Sequence, residues 1–113
     1  MPNPIVHWEI AVKDYLKAKE FYTKLFDWKI DDNNPINYGM VNPGGLGGGI
    51  CRAEGNIRNY VTLYVQVDDL QQSLDKAVSL GATAVVPPTP IPGIGSFAMF
   101  TDPSGNCIGI FKS

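Results

Sequence analysis

The first periodic stretch, residues 6–12, reads VHWEIAV and alternates. Trp8, Ile10 and Val12 share one face of an extended strand, and His7, Glu9 and Ala11 share the other. Asp14 then offers a helix N-cap. From Tyr15 the period changes, placing Ala18, Phe21, Tyr22, Leu25 and Phe26 on one helical stripe. WKIDD reads as a short strand, NNP as a turn, INYGMV as a strand and NPGG as another turn. LGGGICRA is a strand that its three glycines weaken, and EGNIRN is a loop.

The second half starts the same way. YVTLYVQV is a strand with Val61, Leu63, Val65 and Val67 expected toward a helix and Thr62, Tyr64 and Gln66 opposite. DD caps a helix over LQQSLDKAVSLG, whose apolar face is Leu70, Leu74, Ala77 and Val78 and whose stop is Gly81. ATAVVPP and GSFAMFTD flank the proline-rich TPIPGI, read as a long hairpin connection. DPSG is a tight turn and NCIGIF the last strand. AVKDYLKA and QVDDLQQS overlay, with Val12 on Val67, Asp14 on Asp69 and Leu25 on Leu80, each 55 positions apart. The repeated order of strand, cap, helix and three short strands predicts two βαβββ modules in a single domain. Module one covers about residues 1–55 and module two about 56–113. The fold class is α+β: a cupped, mainly antiparallel mixed sheet with the helices on its outer face. Its other face carries His7, Glu9, Thr62, Tyr64 and Gln66, which suits a cleft better than a second core.

Composition narrows the partners. Of 113 residues, 44% are hydrophobic and 18% charged, which supports a packed core and excludes a disordered chain. Net charge is −2 with no basic block, so no nucleic-acid partner is expected. The sequence shows neither a basic leader nor an apolar run of membrane length, so no membrane partner is expected and the location is read as cytoplasmic. Cys51 and Cys107 are too few and too far apart for a zinc motif or a disulfide scaffold. GGLGGGI contains no GxGxxG in a strand-to-helix context, so no dinucleotide site follows, and no cofactor is expected.

HWEIAVKDYLKAKEFYTKLFDWKI, YVQVDDLQQSLDKAVSLGA and VPPTPIPGIGSFAMFTDPSGNCIGIF together resemble the vicinal oxygen chelate superfamily, the glyoxalase/bleomycin-resistance/extradiol-dioxygenase fold. FY..LF.W in the first helix and DP.GN..G before the last strand are the most specific pieces. The resemblance implies a cupped sheet of two βαβββ modules and a homodimer. Metal-dependent members of the family take one His, Gln or Glu ligand from the first and last strand of each module. Those positions fall here on His7, Gly49, Thr62 and Gly109. Only His7 carries a useful donor, so no metal site is expected.

His7 and Glu9, two apart on one strand, project into the same space. They are the candidate catalytic pair, with Glu9 orienting the imidazole. The plainer reading has His7 bonded to backbone and Glu9 facing solvent or an arginine. Tyr38, Thr62 and Tyr64 could supply hydroxyls to a ligand. Cys51, Cys107 and Phe111 are further candidate ligand-binding residues on the cleft side, and Arg52 and Arg58 are candidate anchors for an anion. Three functions remain open: a protein binding an unidentified small molecule without a catalytic metal, a metal-dependent lyase or isomerase of lactoylglutathione lyase type, and a non-catalytic drug-sequestering protein.

Overall fold

In the computed structural model, which describes residues 2–113, the alternation of the first stretch becomes strand β1, Ile5–Val12. Asp14 caps the following helix α1, Tyr15–Phe26, its carboxylate accepting from the Lys17 N–H at 3.1 Å. Asp27, left-handed at φ 58°, ends that helix. Three strands follow: β2 Ile30–Asp31, β3 Gly39–Val41 and β4 Gly48–Arg52. The second pass repeats the series as β5 Tyr60–Gln66, α2 Leu70–Ser79, β6 Thr83–Ile91, β7 Gly95–Thr101 and β8 Cys107–Lys112. Asp69 caps α2 as Asp14 caps α1, accepting from the Gln72 N–H at 2.9 Å. Two βαβββ modules in an α+β fold are thus present, as the repeat predicts.

The chain forms two compact units. One is His7–Thr62. Its strands lie in the order β2-β3-β4-β1, with β1 parallel to β4 and the other pairs antiparallel. Tyr15, Val41 and Ile50 form its buried core, and Trp8, Ile10, Val12, Ala18, Tyr22 and Trp28 pack on them. The expected helix-facing residues of β1 are therefore the ones that pack. The α1 stripe is narrower than its sequence suggests. Tyr15, Ala18 and Tyr22 pack inward, whereas Phe21, Leu25 and Phe26 are exposed. The inward face repeats at i, i+3 and i+7, and Phe21 and Leu25 lie just off it. Tyr15 anchors the helix through Asp32, donating to its carboxylate at 2.9 Å while Lys19 bridges the same oxygen at 3.0 Å. Burial, and next that bond to Asp32, push the Tyr15 phenol up to about 12.

The other unit joins the residues through Val6 to Leu63–Ser113. Its strands lie in the order β5-β8-β7-β6, with β5 parallel to β8 and the other pairs antiparallel. The start of the chain belongs here because Asn3 donates to the Gln66 carbonyl at 3.0 Å and the Gln66 N–H donates to Pro4 at 2.9 Å. Val67, Leu70, Leu74, Ala98 and Ile110 form this core, with Val65 and Phe100 against it. Val61, expected with them, is 74% exposed.

Two strand limits differ from the periodicity. INYGMV is a strand only from Gly39, because Asn37 is left-handed at φ 51° and breaks the extended run. TPIPGI is not a long connection, since β6 runs through Pro87, Pro88 and Pro90 to Ile91. β6 stands last in its sheet and its register shifts twice, so prolines without an N–H are accommodated. The DPSG turn is as read: Asp102 accepts from the Ser104 and Asn106 N–H groups, both at 2.9 Å. Among the described residues no helix is long and apolar enough to cross a membrane.

Candidate functional site

Strand alternation puts His7, Glu9 and Ala11 on the face of β1 away from α1. Glu9 is only 6% exposed, so its charge is removed from water and must be met by hydrogen bonds. Both oxygens are met. Tyr38 donates to Oε1 at 2.9 Å and Tyr60 to Oε2 at 2.7 Å. The Tyr38 hydroxyl also lies 2.8 Å from His7 Nε2, so it joins imidazole and carboxylate. Burial depresses the His7 pKa below its ordinary value, and the nearby Glu9 charge opposes that depression. Cys51, opposite Ala11 in the parallel pairing, meets the Tyr60 hydroxyl. Burial, then the Glu9 charge, push its thiol up to about 12, which makes it a poor nucleophile.

The backbone explains how Tyr38 gets there. It ends the connection over residues 32–38, and the side chain of Asn34 clamps its peptide. Asn34 Nδ2 donates to the Tyr38 carbonyl at 2.7 Å, and the Tyr38 N–H donates to Asn34 Oδ1 at 3.0 Å. The ring then lies over Gly49, where any Cβ would fall inside it. Gly49 pairs with Glu9 across β1 and β4. The equivalent pair in the other unit is Tyr64 with Gly109, and there the Tyr64 ring itself covers the glycine.

The candidate residues therefore fall into groups. His7, Glu9, Tyr38 and Cys51 come together in the unit His7–Thr62, and Thr62, on the first part of β5 that falls in that unit, is buried. Tyr64, Cys107 and Phe111 belong to the other unit, where Tyr64 is buried and meets the Phe97 ring edge-on at 6.3 Å. No disulfide joins Cys51 and Cys107. Tyr60 was missed by sequence reasoning, although a signal existed: it shares strand parity with Thr62 and Tyr64. Parity turns Arg52 to the helix side, away from His7 and Glu9. Its guanidinium lies 4.2 Å over the Tyr15 ring and donates to the Asn37 carbonyl. Grooves of about 410 and 550 Å³ run beside Asp69, Leu70 and Pro88 and beside Phe21, Lys24 and Leu25, and neither is lined by His7 or Glu9.

The residues do not fit the metal set of the superfamily. Among the described residues no group of three or more His, Cys, Asp or Glu could hold an ion. The places where side-chain ligands would grow from residues 49 and 109 are filled by tyrosine rings.

Two βαβββ modules, each closing a mixed sheet on one helix, define the class of protein. The chain belongs to the Glyoxalase/Bleomycin resistance protein/Dioxygenase superfamily, whose family model matches residues 4–110. It is 31% identical over 115 residues to "Putative glyoxylase CFP32" of Mycobacterium bovis, and the match covers 93% of this chain. The chain spans 44% of that relative's length. "Hypothetical protein BH1468" from Bacillus halodurans superposes with a TM-score of 0.75 at 14% identity, covering 100% of this chain and 96% of that one. Methylmalonyl-CoA epimerase from Mycobacterium tuberculosis superposes with a TM-score of 0.67 at 17% identity, covering 96% and 86%. Similarity at that level is similarity of fold.

Proposed function

We propose that the chain binds a small molecule at the His7–Glu9 site and acts on it by acid–base chemistry without a catalytic metal. The observation that carries this reading is the buried Glu9 carboxylate with a tyrosine hydroxyl on each oxygen. Burying an ion costs several kcal/mol even after relaxation, and an apolar residue would fill a strand interior without that cost. A charge kept there, linked through Tyr38 to the chain's single histidine, suits proton transfer. His7 and Tyr38 keep part of their surface exposed and so offer a ligand its approach.

Lactoylglutathione-lyase-type isomerisation relies on a metal to hold an enediolate, and the rings over Gly49 and Gly109 argue against that set here. The methylmalonyl-CoA epimerase fold and the mycobacterial glyoxylase name leave the substrate open. Within this reading the working unit is a cytoplasmic homodimer, to be tested by light scattering.

Protein purified without chelator is titrated with Zn²⁺, Ni²⁺ and Mn²⁺ by calorimetry and analysed for metal content. Substoichiometric content and no tight one-equivalent isotherm are expected. A tight site that disappears in His7→Gln sinks the metal-free reading. A thermal-shift screen then identifies ligands, because a ligand of the native state raises its melting temperature. Glu9→Gln should retain ligand binding and lose turnover; equal turnover removes Glu9 from the chemistry.

A further inference from the structure

We propose that Tyr38 is the proton carrier of this site, its hydroxyl passing one proton between the His7 imidazole and the Glu9 carboxylate. The inference deepens the acid–base reading above and rests on it.

A tyrosine hydroxyl holds a single proton. Tyr38 Oη meets His7 Nε2 at 2.8 Å and Glu9 Oε1 at 2.9 Å. An ionised carboxylate only accepts, so the Tyr38 proton points to Oε1. His7 must then donate through Nε2, and a neutral ring carries its one proton there. Burial disfavours the imidazolium, which keeps the ring neutral. Glu9 Oε2 is held separately by Tyr60, so the carboxylate cannot swing away from Tyr38 without breaking a second bond.

This arrangement lets His7 act as a base without becoming a cation. A proton arrives at Nδ1 from a hydrogen-bonded acid, whether a bound substrate or a protein hydroxyl that relays it. The Nε2 proton passes to Tyr38 Oη, and the former Tyr38 proton passes to Glu9 Oε1. His7 ends neutral with its proton on Nδ1, Tyr38 ends neutral and donates to Nε2, and Glu9 ends as the carboxylic acid. The acid that gave the proton carries the negative charge that Glu9 has lost, and nothing is oxidised or reduced. A desolvated site favours this path, because no new charge is created within it.

Two residues place the carrier without taking part. Gly49 leaves the space that the Tyr38 ring occupies, and Asn34 fixes the Tyr38 peptide on both its N–H and its carbonyl. Asn34 is thus a positioning residue.

The test uses the fact that the chain has one histidine, so ¹⁵N-labelled imidazole gives one pair of ring signals. In metal-free wild type at pH 7 the Nε2–H tautomer is expected. Tyr38→Phe should replace it with a mixture of both tautomers, Asn34→Ala should shift it part of the way, and Tyr60→Phe should leave it in place. A wild-type ring protonated on Nδ1 overturns the proposal, even if every variant fails to fold. So does a Tyr38→Phe ring that keeps the wild-type shifts. Failure of the underlying reading looks different: one equivalent of Zn²⁺ would then move one His7 nitrogen to a metal-bound value and leave the proton on the other, whichever tautomer precedes it.

Discussion

Glu9 and Tyr64 stand 55 residues apart at equivalent places in β1 and β5, and each pairs with a glycine on the neighbouring parallel strand. In both modules an aromatic ring covers that glycine. The source of the ring differs. Over Gly109 it is Tyr64, the paired residue itself. Over Gly49 it is Tyr38, brought in by the connection between β2 and β3, and the paired position remains available for the Glu9 carboxylate. His7 has Thr62 as its counterpart in the repeat. The same backbone plan therefore carries a histidine–tyrosine–carboxylate chain in the first module and a threonine and a tyrosine in the second. A duplicated fold can keep its hydrogen-bond ladder in both copies and concentrate its titratable groups in one.

The sharpest way to break this comparison is to fill the two glycines. Gly49→Ala and Gly109→Ala each place a methyl where a ring sits, and overpacking of this kind costs about 1–3 kcal/mol. Urea unfolding should show both losses as lower midpoints at unchanged slope. Gly49→Ala should also disturb the His7 ring signals, because the Tyr38 hydroxyl lies 2.8 Å from His7 Nε2, and Gly109→Ala should disturb them less. If Gly109→Ala moves the His7 signals as far, the modules are not chemically distinct.

Next in size are the hydroxyls on Glu9. Hydrogen bonds to a charged group contribute about 1.5–3 kcal/mol, more than neutral ones. Tyr60→Phe strips the donor from Oε2 and should destabilise by about 2 kcal/mol. Tyr22→Phe, on the helix side of the same module, keeps its ring stacked on Trp28 and should cost below about 0.5 kcal/mol. Chemical denaturation decides it: equal costs for the two variants would mean that Glu9 needs no hydroxyl on that oxygen.

Much of this site was visible in the sequence, and the parts that were not have physical reasons. Alternation in VHWEIAV separates His7 and Glu9 from Trp8, Ile10 and Val12, because strand period dictates it whatever the tertiary context. The two cap aspartates mark both helix starts for the same local reason. Tyr38 was a candidate hydroxyl, but its link to His7 and Glu9 depends on a connection bent by Asn37 and clamped by Asn34, which no periodicity encodes. Tyr60 lies on the right parity yet at the very start of β5, where pattern reading is weakest. The extended path of β6 through three prolines depends on its place in the strand order, a tertiary fact.

A control for the comparison comes from what the modules share. Asp14→Ala and Asp69→Ala each remove an N-cap whose carboxylate accepts from the N–H three residues on. Each should cost about 1 kcal/mol by thermal or urea unfolding, and the two costs should agree within about 0.5 kcal/mol. A markedly larger loss at Asp14 would show that the first module is the weaker part of the fold, and that the losses expected at Gly49 and Tyr60 are not specific to the site.

The smallest effect separates the modules by pH. His7 is the chain's single histidine and its counterpart Thr62 does not titrate, so between about pH 5 and 7 the side-chain dependence of stability comes from the first module. The folded-state pKa of His7 lies below the ordinary histidine value of 6.5, with burial as the leading cause. Well above 6.5 the ring is neutral in both states and stability is at its full value. As pH falls through 6.5 the unfolded chain takes up a proton that the folded chain refuses, so stability declines until the pH reaches the folded-state pKa. His7→Gln should flatten this slope. Glu9→Gln should steepen and extend it, since the Glu9 charge is what raises the His7 pKa against burial. Unfolding free energies at pH 7.5, 6.5 and 5.5 for the three proteins decide the matter, because a structural role for Glu9 alone would lower all three values equally and leave the slope untouched.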